Sequence, residues 1–158
     1  VTAGVTGPTK YVSTVVLLTT VRLVAFGVSA LLISTTSRSR PLIEPGWMRT
    51  WGLFEGGAIV GHVDLKGGPI LSDLHRATLG IGLEIGHRDR GRGTAMCEAV
   101  IAWSRAQGLA WIDLGVFGPN LRAQALYRKL GFVEVGRMTD RFRVDGESID
   151  DIMMTLAL

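Results

Sequence analysis

The sequence has little cysteine and no grouping of metal-binding side chains. Cys97 is the single cysteine among 158 residues, so no disulfide can form within the chain. Because structural disulfides belong to oxidising compartments, we expect a reducing cytoplasm. Cys97 falls in an apolar, helix-like run, which favours a small buried side chain over a nucleophile. No spacing of His, Cys, Asp and Glu indicates a metal, and no Ser-His-Asp set is visible, so we expect no metal cofactor.

Common nucleotide-binding motifs are missing as well. The chain has no Gly-Lys-Ser/Thr phosphate loop, and Gly80, Gly82 and Gly86 lie within a strand at the wrong spacing for a dinucleotide fingerprint. Basic residues do not form runs with interleaved aromatics, and the net charge is only +3, so we expect no nucleic-acid partner. This charge still suits a small anionic ligand.

One long segment is poor in charge. From Tyr11 to Ser37 the only charged residue is Arg22. A membrane-spanning helix needs about 20 mostly apolar residues, and a central arginine costs about 2.5–3.5 kcal/mol on insertion scales. Because the run is rich in Ser and Thr and contains Gly27, we interpret it as a strand, Tyr11–Leu18, followed by a helix, Val21–Ile33. The alternative is a membrane anchor, and we expect no membrane association.

The remaining chain alternates between apolar runs and turn signals. Glu55-Gly56-Gly57 and Asp145-Gly146 each predict a hairpin between two strand-like runs. The predicted strands are Trp47–Phe54, Ala58–Leu65, His75–Ile85, Trp111–Phe117, Phe132–Arg143 and Ser148–Leu156, and the predicted helices are Thr94–Ala106 and Asn120–Leu130. Hairpins around a βαβα centre predict a single domain over 1–158, an α/β fold with a mixed, mostly antiparallel sheet and flanking helices.

The third of these strands has two unlike faces. Leu79, Ile81, Leu83 and Ile85 are expected on one face, buried against a helix, and Gly80, Gly82, Glu84 and Gly86 on the other. A face almost bare of side chains is typical of a strand that a ligand or another backbone approaches closely. A twist or bulge that needs small residues is the alternative.

The turn after this strand is suited to phosphate. Arg88-Asp89-Arg90-Gly91-Arg92-Gly93-Thr94-Ala95 joins the strand to a helix. Free N–H groups and the helix dipole favour an anion at a helix N-terminus, and glycine allows the backbone to approach it. An arginine-rich surface turn is the alternative.

Two motifs in this region resemble those of the GNAT superfamily of acyl-CoA-dependent N-acyltransferases. Arg88, Gly91 and Gly93 resemble the Arg/Gln-x-x-Gly-x-Gly/Ala phosphate motif, in the expected place between strand and helix. The segment Asn120–Phe132 resembles Asn-x-x-Ala-x-x-Leu-Tyr-x-Lys-x-Gly-Phe in full register. The resemblance covers roughly residues 75–158, with an acetyl-CoA-binding core at 75–138, whereas residues 1–46 form a variable segment that matches poorly.

The resemblance implies a GNAT-like fold and an N-acetyltransferase. Such an enzyme moves an acetyl group from acetyl-CoA to a primary amine, of a small molecule or a protein N-terminus, by direct attack. The alternative is a non-catalytic acyl-CoA-binding or regulatory domain of the same fold. The acceptor amine and the oligomeric state stay open, and a homodimer is possible.

The resemblance also implies roles for individual residues. The pyrophosphate of coenzyme A would be held by the turn, and the pantetheine arm by backbone groups near Leu83 and Ile85. The third and fourth of the predicted strands, His75–Ile85 and Trp111–Phe117, would splay apart, and the acyl-CoA thioester would lie in the gap between them. The implied cofactor-binding residues are Leu83, Ile85, Arg88, Arg90, Gly91, Arg92, Gly93, Thr94 and Asn120, the last of which also caps its helix.

Tyr127 is the implied general acid, which protonates the coenzyme A thiolate as it leaves. A phenol has a pKa of about 10 and a thiol of about 8.5. The general base is open between Glu84 and His75, while His62 and His87 are less favoured candidates. Asp113 is expected to shape its strand.

Overall fold

The structure is a computed structural model, and it describes residues 24–26, 29–34 and 44–158. The predicted strand Tyr11–Leu18 lies outside these residues. The strands are β1 (Val24–Phe26), β2 (Ser29–Ser34), β3 (Met48–Glu55), β4 (Ala58–Gly67), β5 (Arg76–Leu83), β6 (Trp111–Phe117), β7 (Val133–Val144) and β8 (Glu147–Ala157). The helices are α1 (Arg92–Ala106) and α2 (Leu121–Lys129), and short 3₁₀ turns occur at Leu71–Asp73 and Ile85–His87.

The eight described strands form one sheet in the order β1-β2-β3-β4-β5-β6-β8-β7. Only β5 and β6 are parallel neighbours, and every other adjacent pair is antiparallel. The mixed, mostly antiparallel sheet with a central βαβα unit is therefore confirmed. Both predicted hairpins are present, with left-handed backbone at Gly56 (φ 57°) and Gly57 (φ 82°) in one, and at Asp145 (φ 51°) and Gly146 (φ 84°) in the other.

The helix predicted over Val21–Ile33 is wrong, because the described part of that segment forms β1 and β2. Strand β2 pairs along its whole length with β3, from Ser29↔Glu55 to Ser34↔Thr50. Residues with branched β-carbons recur in this segment, and they lose side-chain freedom in a helix but pack well in a sheet. The two strands also occupy the described part of the charge-poor run that raised the possibility of an anchor. No helix in the described parts of the chain is long and apolar enough to span a membrane.

The predicted strand His75–Ile85 ends earlier than expected. After Leu83 the chain leaves the sheet and turns through Ile85–His87. The alternation that buries Leu79 stops there, and Ile85 is 81% exposed rather than buried. The expectation that Ile85 packs against a helix is therefore wrong, because strand alternation does not continue through a 3₁₀ turn.

Both helices lie on one face of the sheet. The crossovers β5-α1-β6 and β6-α2-β7 join parallel strands and advance in the same direction across the sheet, and such crossovers are right-handed almost without exception. The core between helices and sheet contains large, fully buried side chains, among them Trp51, Met96, Ile112, Ile152 and Met154. Cys97 is fully buried there, as predicted, and burial raises the pKa of its thiol to about 12.

The parallel strands β5 and β6 pair only at one end. Their register consists of Arg76↔Trp111, Ala77↔Ile112 and Thr78↔Asp113. Beyond Thr78, β5 continues to Leu83, and β6 continues to Phe117, without further pairing between them. The two strands therefore splay apart toward their carboxyl ends, which opens a gap in the middle of the sheet beside the N-termini of α1 and α2.

Candidate active site

A cavity of about 470 Å³ lies where the splayed end of β5 meets the N-termini of α1 and α2. Most residues that the sequence analysis assigned to the site contribute to its wall. They are Leu83, Arg88, Gly91, Arg92, Gly93, Thr94, Asn120 and Tyr127. The cavity therefore brings the phosphate turn and the tyrosine of the second motif to one place, although they are far apart in sequence.

The N-terminus of α1 carries free backbone donors. Gly91 precedes the helix with φ of 73°, and no side chain caps the helix. Its carbonyl accepts the first helical bond, from the Ala95 N–H at 3.0 Å. Arg92, Gly93 and Thr94 follow as the first helical residues, and no described residue accepts a bond from their N–H groups. These donors, with the helix dipole, form a pocket for an anion at the cavity wall.

The side chain of Arg92 is engaged elsewhere. Its Nη2 lies 2.8 Å from Glu55 Oε1, and its Nη1 contacts His87 Nδ1. His87 Nδ1 also lies 2.8 Å from Glu55 Oε2. The hydrogen bond from Arg92 lowers the pKa of the Glu55 carboxyl. Arg92 thus fastens the phosphate turn to the β3–β4 hairpin and offers a ligand its backbone N–H rather than its charge.

Two other arginines stand at the cavity. Arg88 Nε donates to the Leu83 carbonyl at 3.0 Å, which leaves that oxygen one further lone pair for a ligand. Arg122, in the first turn of α2, forms an ion pair with Asp89, a residue held at a left-handed φ of 63°. Sequence reasoning missed Arg122, since it occupies an unspecified position of the second motif. Arg90 is exposed and does not line the cavity.

Asn120 begins α2 as predicted. Its Oδ1 accepts a hydrogen bond from the Ala123 N–H at 3.1 Å, which is the N-cap geometry. Gln124 supports the same end of the helix from its buried position, since its Nε2 donates to the Gly118 carbonyl at 2.8 Å. The start of α2, and with it the wall of the cavity, is therefore fixed by local hydrogen bonds.

Tyr127 lies deep in the cavity wall and is only 5% exposed. Its ring packs edge-on against Phe132, with centroids 5.8 Å apart. No described residue accepts a hydrogen bond from its hydroxyl, and burial raises the pKa of Tyr127 to about 12. The phenol therefore keeps its proton throughout the neutral range and can donate it to an anion that forms in the cavity.

The two candidate bases from sequence do not line the cavity. The Glu84 side chain is 65% exposed, and its Oε2 lies 3.8 Å from His87 Nε2. His75 is exposed at the opposite end of β5. A strand rises ~3.3 Å per residue, so His75 stands roughly 25 Å from the Leu83 end of β5. Ile85 is exposed beyond the strand and also lies outside the cavity.

The bare face of β5 is only partly bare. A Cβ at Gly80 would meet no atom within 4 Å, whereas a Cβ at Gly82 would lie 2.5 Å from Cε1 of His62. The imidazole of the paired strand therefore occupies the space that Gly82 leaves.

Asp113 has the structural surroundings expected of it. Its carboxylate accepts two hydrogen bonds from Arg76, at 2.6 and 2.8 Å, and one from Thr155 at 2.6 Å. Although burial raises the pKa of Asp113, these hydrogen bonds bring it below its usual value. The cluster ties β5, β6 and β8 together at the last residue pair before the splay. No group of His, Cys, Asp and Glu in the described part of the chain is arranged to hold a metal ion.

Comparison with known families agrees with this geometry. The model of the acetyltransferase (GNAT) family matches residues 32–132. No curated protein sequence matches the chain significantly.

Solved structures share the fold. An acetyltransferase of the GNAT family from Streptococcus pneumoniae is 25% identical, with a TM-score of 0.70 over 77% of this chain and 71% of that one. A ribosomal-protein-alanine N-acetyltransferase from Brucella melitensis is 21% identical, with a TM-score of 0.66 over 70% of this chain and 69% of that one. A phosphinothricin acetyltransferase from Sinorhizobium meliloti, solved with acetyl-CoA, is 21% identical, with a TM-score of 0.67 over 70% of this chain and 61% of that one.

Proposed function

Since the chain belongs to the acetyltransferase (GNAT) family, and membership indicates an acyl-transfer reaction, we propose that it moves an acetyl group from acetyl-CoA to a primary amine. The acceptor is the amine of a small molecule or of a protein N-terminus. The observation that carries the proposal is the shared cavity, in which free helix N–H groups and a buried, protonated tyrosine lie beside splayed strands.

Acetyl-CoA is the co-substrate that this cavity suits. Its pyrophosphate would accept hydrogen bonds from the N–H groups of Arg92, Gly93 and Thr94. Arg88 and Arg122 supply positive charge at the same place. The pantetheine arm would run along β5, where the splay leaves backbone groups free of partners from β6. The crystallised Sinorhizobium meliloti enzyme, which shares the fold, holds acetyl-CoA.

Transfer follows from the chemistry of a thioester. The neutral amine attacks the carbonyl carbon, a C–N bond forms, and the carbonyl electron pair moves onto oxygen. The amine nitrogen loses a proton to a base, the intermediate collapses, and the C–S bond breaks. Tyr127 donates its proton to the departing sulfur and regains one from water. Burial keeps the phenol protonated, and it also disfavours a charged thiolate, so the departing sulfur gains from a proton donor inside the cavity.

The expected compartment is a reducing cytoplasm. The support is Cys97, which is the single cysteine and is fully buried as a thiol.

An amine-dependent assay of thiol release tests the proposed activity. Purified protein is incubated with acetyl-CoA and a panel of primary amines, including peptides with different N-terminal residues, and free coenzyme A thiol is measured. We expect at least one amine to accelerate thiol release in proportion to enzyme concentration. Tight binding of acetyl-CoA without acceleration by any amine would instead favour the non-catalytic acyl-CoA-binding alternative.

A further inference from the structure

The face of the sheet opposite the helices carries a second set of polar groups beside the splay. Paired residues of neighbouring strands place their side chains on the same face. His62 pairs with Gly82, and Asp64 pairs with Gly80. The intervening Val63 is fully buried on the helix side, so His62 and Asp64 lie on the other side. We call this side the open face, because neither described helix packs on it.

His62 sits directly over Gly82. The position of a Cβ at residue 82 lies 2.5 Å from Cε1 and 3.1 Å from Nδ1 of the imidazole. Gly82 also lines the acetyl-CoA cavity on its other side. A single residue without a side chain therefore separates the imidazole from the cavity in which the thioester would lie. The His62 side chain is 53% exposed, so an acceptor molecule and water can reach it.

Asp64 lies beside this imidazole on the same face. Its Oδ2 lies 3.8 Å from Nε2 of His62, which is an electrostatic contact rather than a hydrogen bond. Its Oδ1 is buried and has no hydrogen-bond partner, an unusual state for a carboxylate oxygen that calls for a donor. Attraction to Asp64 favours the tautomer with the proton on Nε2, which leaves the lone pair on Nδ1, the nitrogen nearest to Gly82.

Across the splay, a second carboxylate lies over a glycine. A Cβ at Gly115 of β6 would lie 2.6 Å from Oδ1 of Asp151 on β8. The backbone of Asp151 pairs with β6 and β7, whereas its carboxylate has no hydrogen-bond or ion-pair partner within the part of the chain that the structure describes. Gly80, Gly82 and Gly115 carry no side chains, so backbone alone borders the splay at these positions of the open face. The carboxylate of Asp64 lies on one side of these glycines, and that of Asp151 lies on the other.

We propose that the acceptor amine enters from the open face, that Asp64 and Asp151 attract it as an ammonium ion, and that His62 accepts its proton. The proposal rests on the proposed acetyl transfer and adds its base and its acceptor side. It assigns the base to His62, which, like Glu84 and His75, does not line the cavity but lies directly over Gly82, which does. His62 is the catalytic residue, and Asp64 is a positioning residue.

The protons balance in this arrangement. The ammonium ion gives one proton to water before attack, and the attacking nitrogen gives its second proton to Nδ1 of His62 as the C–N bond forms. His62 then releases this proton to water. Tyr127, on the helix side, protonates the sulfur as the C–S bond breaks. The acid and the base thus act from opposite faces of the sheet, through the gap between β5 and β6.

Few charges surround the imidazole on the strands beside it. The residues of the described chain that share its face on β3, β4 and β5 nearest to it are Thr50, Gly52, Asp64, Lys66, Gly80 and Gly82. Asp64 is the charged group of these strands that contacts His62, because Lys66 lies four residues further along β4, roughly 13 Å away at about 3.3 Å per residue. A change in the pH dependence of the rate after substitution of His62 or Asp64 is thus assigned to the contact between His62 and Asp64.

Substitution of His62 with a matched control tests the proposal. His62→Gln is compared with Lys66→Gln, an exposed residue of the same strand and face, in steady-state kinetics from pH 5 to 9 and in acetyl-CoA binding by calorimetry. We expect His62→Gln to lower kcat about 100-fold and to lose the acidic limb of the kcat/KM profile. Acetyl-CoA affinity should stay within about twofold, and Lys66→Gln should resemble the wild type in both measurements.

Two further variants test whether the effect of His62→Gln is purely structural. His62→Ala should regain part of its rate when free imidazole is added, because the exposed site admits a small base. Asp64→Asn should change the pH profile of kcat while acetyl-CoA affinity is retained. The proposal is supported if imidazole restores turnover in His62→Ala while the pH dependence of acetyl-CoA binding stays unchanged.

The outcomes separate this proposal from the proposed function. If wild-type protein shows no amine-dependent thiol release, the acetyl transfer itself fails, and the assignment of His62 fails with it. If the wild type is active and His62→Gln keeps its rate and pH profile, only the assignment of His62 is overturned. A loss confined to Glu84→Gln or His75→Gln would also overturn it and would identify the base as that residue.

Discussion

Thr78 of β5 pairs with Asp113 of β6, and beyond this pair the two strands no longer bond to each other. The cluster of Arg76, Asp113 and Thr155 holds three strands at that point. The gap in the sheet therefore begins next to a hydrogen-bonded cluster. We call this cluster of three residues the clamp. The proposed acid and base approach this gap from opposite faces.

Loss of the clamp should destabilise the fold. Asp113→Asn removes the charge that accepts two hydrogen bonds from Arg76, and because about a third of each side chain is exposed, we expect a loss of about 1 kcal/mol of unfolding free energy. Urea denaturation at pH 7 measures it. Arg76→Lys keeps the charge without the paired geometry and should lose less. Equal stability of Asp113→Asn and the wild type would contradict the clamp.

Removal of the Tyr127 hydroxyl should slow turnover without weakening cofactor binding. We expect Tyr127→Phe to lower kcat about 100-fold or more, while the dissociation constant of acetyl-CoA stays within about twofold. Because burial raises the pKa of Tyr127 to about 12, the phenol stays protonated and should cause no fall in rate up to about pH 10. Steady-state kinetics and calorimetry on both proteins measure these effects. Unchanged turnover in Tyr127→Phe would remove the assigned acid.

A side chain at Gly91 should disturb the phosphate turn. Gly91 and Gly108 both have left-handed backbone, at φ 73° and 76°, and a Cβ at either would meet no atom within 4 Å. Each substitution by alanine should therefore cost about 1 kcal/mol of stability for the same conformational reason. Only Gly91 lines the cavity, so only Gly91→Ala should weaken acetyl-CoA binding, by about tenfold. Equal affinities of the two variants would contradict the proposed anion site.

The contact between Glu55 and Arg92 should stabilise the protein in a pH-dependent way. The pKa of Glu55 is lowered in the folded state, so its contribution is present above the usual carboxyl pKa and disappears as the pH falls through the folded value. Glu55→Gln should thus lower the melting temperature at pH 7 and match the wild type in strong acid. Glu98→Gln, at an exposed position of α1, is the control and should show no such difference. A deficit that persists unchanged below pH 3 would contradict the electrostatic origin.

Local signals in the sequence predicted much of the fold and the beginning of the helix at Asn120. Gly91 and Asn120 act through their own backbone or the next turn of a helix, so their roles follow from neighbouring residues. The contacts of Glu55 with Arg92 and of His62 with Gly82 join distant segments through strand register, which composition does not reveal. The segment Val21–Ile33 was wrongly predicted as a helix because its pairing with β3 outweighs its local pattern.

A single-turnover experiment tests the central claim most directly. Enzyme in excess over acetyl-CoA is mixed with an amine that the thiol assay identifies, and mass spectrometry follows the protein and the amine. Direct attack predicts that the acetyl group appears on the amine as an amide, in step with thiol release, and that no acetylated protein accumulates as an intermediate. Thiol release without an acetylated amine, or an acetyl-protein that forms and then decays, would contradict the account.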